Sequence, residues 1–371
     1  MAYMQRTRIL SDSDLDDAAT WRERLDLSGK VTCIEMKIRC DRHANRTTQN
    51  VVYTLADCIS RIELLRDATT PLLSLTGEQL DAMNYWDLKR PNPRRYRQQA
   101  ACDNTLALYL FGGRGFYDKE YGWDFDILDK VYLEYTYDLQ EAVADYFQVN
   151  DHEISIYAWQ WKGANIPTFK GFFRSKQLDA WTTSAANAEH RVEIPCANPI
   201  RRVGVQCATR GRSIAGTLST LDLQVDKGAY SPVIIRVPMD WCHNEVAEYG
   251  LHNVIAGMDY TPAGLAVDLP YWFGYYDFVL AQELVHTGGR VAPYQLVTLP
   301  ARVEEKEGIA TELSFQMGGF AFQKCLRIGF DHEYDMSDIL RVPGGKSLDL
   351  ICTETDAAYS VKTFFQDVVS Y

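Results

Sequence analysis

The chain has 371 residues and a mass of 42.3 kDa, with 46% hydrophobic and 24% charged residues. That balance excludes a disordered chain, a collagen and a coiled coil, and the length suits two domains or one large one. A net charge of −12 excludes a nucleic-acid binder working through its whole surface, because phosphates demand a surplus of Lys and Arg.

The opening segment, MAYMQRTRILSDSDLDD, lacks the apolar stretch of a signal peptide. No apolar run approaches the ~20 residues of a membrane span. Nine scattered cysteines, without a CxxC pair, read as free thiols of a reducing compartment. Synthesis in a cytoplasm is therefore expected.

Residues 1–29 read as an N-terminal arm carrying Arg6 and Arg8. In it, Ser11 or Ser13 is placed to cap a short helix, with Asp14, Asp16 and Asp17 in the first turn. Trp21 and Leu25 would share one face of that helix. From Lys30 the pattern becomes strand-like, beginning with VTCIEMKIRC (31–40). Strands are expected at 59–65, 71–75, 105–111, 129–139, 153–161, 168–174, 190–195 and 200–207. They continue at 219–225, 232–237, 294–299, 311–317, 322–330, 347–353 and 359–365. Two short amphipathic helices are expected, GEQLDAMNYWDL (77–88) and PMDWCHNEVAEYG (238–250). Many strands and few helices point to an all-β sandwich or barrel.

The chain also resembles itself at an offset of 159 residues. Ile62-Glu63-Leu64 precedes Asp67 as Leu221-Asp222-Leu223 precedes Asp226. Each is followed by a turn with Pro71 or Pro232, an apolar strand and a short helix. Further on, Phe111-Gly112 and Asp118 are echoed by Phe273-Gly274 and Asp277. Two similar β-domains in tandem follow, with the boundary in the Arg-, Gly- and Ser-containing stretch 209–217. The expected division is an arm (1–29), a first domain (30–208) and a second (209–371).

SRIELLRDATTPLLSLTGEQLDAMNYW and LALYLFGGRGFYDKEYGWDFDILDKVYLEYTYDL resemble the double-jelly-roll major capsid proteins of tailless icosahedral viruses. VIIRVPMDW and LPYWFGYYD resemble the start of the second roll in that family. The resemblance implies two tandem eight-stranded jelly rolls with short helices, and a structural protein rather than an enzyme. It implies homotrimers that tile a virion capsid as pseudo-hexagonal blocks, beside neighbouring capsomers and minor or vertex proteins. It further implies an internal membrane whose anionic lipid could be a partner, and assembly in the host cytoplasm. No cofactor and no sequence-specific nucleic acid are expected.

The densest charge feature is Lys89-Arg90-Pro91-Asn92-Pro93-Arg94-Arg95-Tyr96-Arg97. Its two prolines favour an extended loop. With Arg6 and Arg8, the residues Lys89, Arg90, Arg94, Arg95 and Arg97 are the expected assembly contacts. Arg201, Arg202, Arg210 and Arg212 read as a second, looser basic patch.

Other chemistry has weaker signals. Gly112-Gly113-Arg114-Gly115 and Pro343-Gly344-Gly345-Lys346-Ser347 lack the spacing and following helix of a phosphate loop, and read as turns. Cys33, Cys40 and His43 are too widely spaced for a typical zinc site. Cys242-His243 has no evident orienting partner. Glu120, Asp124, Asp126 and Asp129 read as a solvated acidic loop. They would also supply the carboxylates of the rival reading, a carbohydrate-binding or glycan-hydrolysing protein with Trp159 and Trp161 as stacking surfaces.

Overall fold

Strand-period alternation in the sequence becomes alternation of burial in the sheets, as in VYLEYTYD, where every second side chain points inward. The computed structural model describes residues 1–42, 54–95, 103–139, 147–209, 214–228, 230–249, 252–260, 267–268, 279–286, 295–296, 302–303, 311–319, 321–331 and 336–371.

In chain order the elements begin β1 (Ala2–Leu15), β2 (Ala18–Arg24), β3 (Lys30–Arg42), β4 (Ile59–Arg66), β5 (Thr70–Leu75) and α1 (Gly77–Leu88). Then come β6 (Arg94–Arg95), β7 (Asp103–Phe111), β8 (Trp123–Asp124), α2 (Phe125–Leu128), β9 (Val131–Asp138) and β10 (Phe147–Gly163). β11 (Gly171–Thr182), β12 (Glu189–Glu193), β13 (Ile200–Cys207), β14 (Leu218–Val225), β15 (Tyr230–Arg236) and α3 (Pro238–Tyr249) follow. The next strands are β16 (His252–Tyr260), β17 (Val267–Asp268), β18 (Val279–His286), β19 (Gln295–Leu296), β20 (Arg302–Val303) and β21 (Thr311–Gly319). The chain ends in β22 (Cys325–Gly329), β23 (Leu348–Glu354) and β24 (Ser360–Ser370).

An eight-stranded sheet, β2-β9-β4-β5-β11-β24-β13-β22, is shared by two cores. Its first half faces the sheet β1-β10-β3-β7-β6, to which β8 adds beside β3. Its second half faces the sheet β12-β23-β14-β15. β16-β21-β18-β19 form a further sheet, and β17 pairs with β20. Adjacent residues of β24 serve different cores: Phe364 enters the first and Phe365 the second. Strands β12 and β13 already belong to the second core, so the expected boundary at 208/209 falls between two strands of that core.

The internal repeat has a local physical basis. β4–β5 and β14–β15 are both antiparallel hairpins, and each leads into a twelve-residue helix. Asp67 and Asp226 occupy equivalent turn positions with φ of 50° and 51°. Asp tolerates this left-handed region better than most residues, which suits it to such turns. The later part of the repeat, Phe273-Gly274 and Asp277, lies outside the described residues.

The N-terminal segment departs from expectation. No helix follows Ser11 or Ser13; β1 runs along β10, and β2 runs along β9 with Trp21 opposite Tyr135. Edge pairing of backbone groups on two sheets outweighs the capping potential of isolated serines.

α1 also differs from the amphipathic helix read in the sequence. Thr76 and Gln79 form a reciprocal capping box, with Gln79 N–H to Thr76 Oγ1 at 3.2 Å and Thr76 N–H to Gln79 Oε1 at 3.1 Å. Lys89 ends the helix at φ 55°. Its polar residues Gln79, Asp81, Asn84 and Asp87 are buried along with Leu80, Met83 and Trp86. The polar face is turned toward charged partners rather than toward water.

Candidate assembly surfaces

The polar face of α1 builds a charged seam where the two halves of the shared sheet meet. Asp81 accepts hydrogen bonds from Asn92 Nδ2 at 2.9 Å, Arg94 Nη2 at 2.5 Å and Gln323 Nε2 at 2.6 Å. Asp87 receives Arg201 Nη1 at 2.9 Å and Arg202 Nη2 at 2.5 Å. Asp331 receives Arg201 Nε at 2.5 Å and Arg327 Nη2 at 2.9 Å. Gln366 accepts from Arg201 and Arg202, each at 2.9 Å, and Glu248 pairs with Arg327 at 2.6 Å. Burial pushes the Asp331 carboxyl up, but Arg201, Arg202 and Arg327 outweigh it and hold the group below the usual carboxylate range. Phe173 lies 4.6 Å from the Arg201 guanidinium and Trp86 lies 5.8 Å from that of Arg202.

This corrects two readings of the sequence. Arg201 and Arg202 are not a basic surface patch, since both are 1% exposed. Arg94 is not an outward contact either: its side chain is buried against Asp81 and the Phe322 ring. Arg210, Arg212 and Arg97 lie outside the described residues. Lys89 and Arg90 are exposed at the end of α1, and Arg95 sits in β6 opposite Thr105. Arg6 and Arg8 are exposed on β1; Arg6 forms a bidentate pair with Glu35 at 2.8 Å and covers the Tyr157 ring.

Glu245 of α3 is buried, and among the described residues the nearest opposing charge, that of Arg327, does not compensate. Burial raises its pKa to about 8, against the opposing pull of Arg327. The folded state therefore keeps a proton that the unfolded chain releases above about pH 4.5. This contribution to stability is fullest in acid and is lost as pH rises toward about 8. Glu245→Gln is expected to become more stable relative to the parent by up to about 1.4 kcal/mol per pH unit across that window. Urea unfolding of both proteins at several pH values checks it; parallel curves would remove the assignment.

The residues proposed for other chemistry are engaged within the chain. Arg114 bonds Asp118 at 2.7 and 2.8 Å and Glu120 at 2.8 Å. Lys30 pairs with Asp124, and Lys170 with Glu120. Asp126 accepts the Gly29 N–H at 2.8 Å. Trp161 is buried and donates to the Asp118 carbonyl, while Trp159 donates to Glu35 and packs on Phe116. The Trp161 ring is thus closed to a glycan, while Trp159 is partly buried beside Phe116. Cys33 and Cys40 are both buried, but Cys33 lies in a small cluster with Tyr109 and Phe111 and Cys40 lies in the first core. Seven positions apart on one strand, they face opposite sides and cannot share one ion. His43 is outside the described residues. Cys242 is buried in the second core, and His243 is in α3.

Sequence reasoning missed a set of exposed large apolar side chains. Met1, Tyr3, Tyr117, Ile127, Ile166 and Tyr371 are exposed. The pairings bring them to one end of the first core. Tyr3 lies opposite Lys162, beside Gly163, and Ile166 follows in the link to β11. Tyr371 N–H reaches the Lys170 carbonyl, and its hydroxyl donates to Gly122 O at 2.8 Å and accepts from Asp124 N–H at 2.5 Å. Tyr371→Phe should leave the buried Asp124 amide unpaired and cost about 1–3 kcal/mol in urea unfolding.

No protein-family model matches the chain, and no curated protein matches it by sequence. Solved structures do. The major capsid protein of Sulfolobus Turreted Icosahedral Virus superposes with a TM-score of 0.61 at 10% identity, covering 99% of this chain and 97% of that one. A chain of the PBCV-1 virus capsid gives 0.58 at 7% identity, with 99% and 94% covered. The major capsid protein of bacteriophage PM2 gives 0.53 at 9% identity, with 99% and 98% covered. The architecture is that of a double jelly roll, as the family resemblance implied.

Proposed function

We propose that this chain is the building block of an icosahedral viral shell, with assembly rather than catalysis as its work. The observation that carries the reading is the end-to-end match: almost the whole of this chain pairs with almost the whole of each capsid protein. A shared sheet stiffened by buried ion pairs suits a rigid tile.

In this reading three copies form a permanent block, and smaller polar contacts join blocks reversibly. Arg6 and Arg8 on β1, and Lys89 and Arg90 at the end of α1, contact neighbouring capsomers or minor proteins, as do Arg95 and Arg97. The end carrying Tyr3, Ile127, Ile166 and Tyr371 faces an internal membrane. There its apolar side chains enter the headgroup region, and Lys119 and Lys162 meet anionic lipid. Free thiols among the described residues suit assembly in a reducing host cytoplasm.

Light scattering on a sizing column tests the tile. A stable particle of three times 42.3 kDa that survives dilution is expected. A folded monomer would count decisively against it. Flotation with anionic vesicles tests the membrane-facing end separately; equal flotation of parent and an Ile127→Asp variant would remove that assignment.

A further inference from the structure

His152 occupies a distinctive place in the fold. It lies on β10 where the N-terminal strands change sheets, and it is 1% exposed. Leu15, the last residue of β1, is opposite it on one side and Cys40 of β3 on the other. Its Nδ1 lies 3.4 Å from the carbonyl oxygen of Asp16, in the link between β1 and β2. Its Nε2 lies 3.2 Å from the hydroxyl of Tyr135 on β9, and the Tyr137 ring meets its edge at 4.5 Å. The same link is pinned by Asn150 N–H to Asp17 Oδ1 and by Leu139 N–H to the Asp17 carbonyl, each at 2.9 Å.

The neutral ring with its proton on Nδ1 donates to Asp16 O and accepts from Tyr135, so that the Tyr135 O–H proton has a partner. A second proton on Nε2 deprives the buried Tyr135 hydroxyl of its acceptor. It also places a cation among Tyr135, Tyr137, Cys40 and apolar side chains. The titratable groups facing the ring are Tyr135 and Tyr137 from β9, Cys40 from β3, and Asp16 and Asp17 from the link; Asp151 and Glu153 flank it on β10. Asp17 draws the ring toward protonation, but burial prevails and lowers its pKa to about 4. The neutral form therefore supports folding fully above about pH 6.5, and this support is lost as pH falls toward about 4.

The strands held at this point are separable from the core. Within 1–24, the side chains that pack on the first core are only partly buried: Ile9, Leu10, Leu15, Ala19 and Trp21. Among the described residues β1 has a backbone ladder with β10 alone and β2 with β9 alone, Arg6 adding a side-chain pair to Glu35 of β3, and the β1 ladder is broken twice, around Leu10 and before Ser13.

We propose that His152 is an acid-operated latch: its neutral ring holds the β1–β2 link, and its protonation frees both N-terminal strands from β10 and β9 while the two cores stay folded. Release would expose an edge on each sheet of the first core, giving the chain two surface states selected by pH.

Hydrogen exchange followed by peptide mass spectrometry tests this on the full chain. Between neutral pH and about pH 4.5, after correction for intrinsic exchange, amides of 2–24 should lose protection at least about tenfold more than those of β7. His152→Phe keeps the ring volume without titrating and should abolish most of that difference. Uniform loss of protection across both segments would overturn the latch, as would an unchanged acid response in the variant. Should His152→Phe not fold, the imidazole is titrated directly by NMR in the parent. A pKa near 6.5 overturns the proposal, and a value well below it, with a coincident change in the 2–24 resonances, supports it.

Discussion

Replacing Asp87 by Ala should cost about 3–5 kcal/mol, as expected for deleting one partner of a buried ion pair. Two guanidinium groups, those of Arg201 and Arg202, lose a carboxylate they both use at 2.9 Å or less. Asp331 and Gln366 remain for Arg201, whereas Arg202 keeps only Gln366 among the partners named above. A second effect follows from where the charge lies. The shared sheet crosses from its first half to its second through a parallel pairing of two residue pairs, Ser175 with Leu73 and Lys176 with Ser74. By contrast β11 and β24 pair along nearly their whole lengths. The junction therefore depends on α1 and its charges as well as on the ladder. Urea unfolding of Asp87→Ala should show the lower midpoint and a broadened or split transition as the halves lose their coupling. A loss under about 1 kcal/mol with one sharp transition would mean that the seam contributes little.

Legibility in the sequence tracked how much of an element's fate is local. α1 was readable at 77–88 because its start signal lies within four residues, Thr76 to Gln79. β13 was readable at 200–207 because a two-face-buried strand is an apolar run. The arginines inside that run were misread, since a sequence displays a charge and hides its partner. The signal was present nonetheless: two arginines between Ile200 and Val203 in a buried strand require carboxylates from elsewhere. β1 and β2 were missed for the opposite reason. The inner face of β1 is only half-buried, so MAYMQRTRIL shows little contrast between faces. β18, VLAQELVH, is rich in helix formers, and pairing with β21 overrides that preference. The apolar end was invisible because Met1, Ile127 and Tyr371 are far apart in the chain and reach one end of the first core only through the strand pairings.

The second large effect concerns Gly204, at the centre of β13. A Cβ there would lie 2.2 Å from the Phe364 ring. That ring cannot retreat easily, because Trp86 stacks on it with centroids 5.8 Å apart and planes within 8°. Trp86 is in turn fixed in α1, beside the Arg202 guanidinium. Gly204→Val should therefore destabilise by about 3 kcal/mol or more, at the upper end of overpacking costs. Phe364→Leu alone should cost about 1–2 kcal/mol through the space it opens under Trp86. The two changes meet at one contact, so their combination should be less damaging than their sum by at least about 1 kcal/mol. A double-mutant cycle in urea measures the coupling. Simple additivity would show that Gly204 is required for the backbone of β13 rather than for room beneath Phe364. A large favourable coupling would identify Gly204, Phe364 and Trp86 as one packed column joining the shared sheet to α1, beside the ion pairs that hold the same helix.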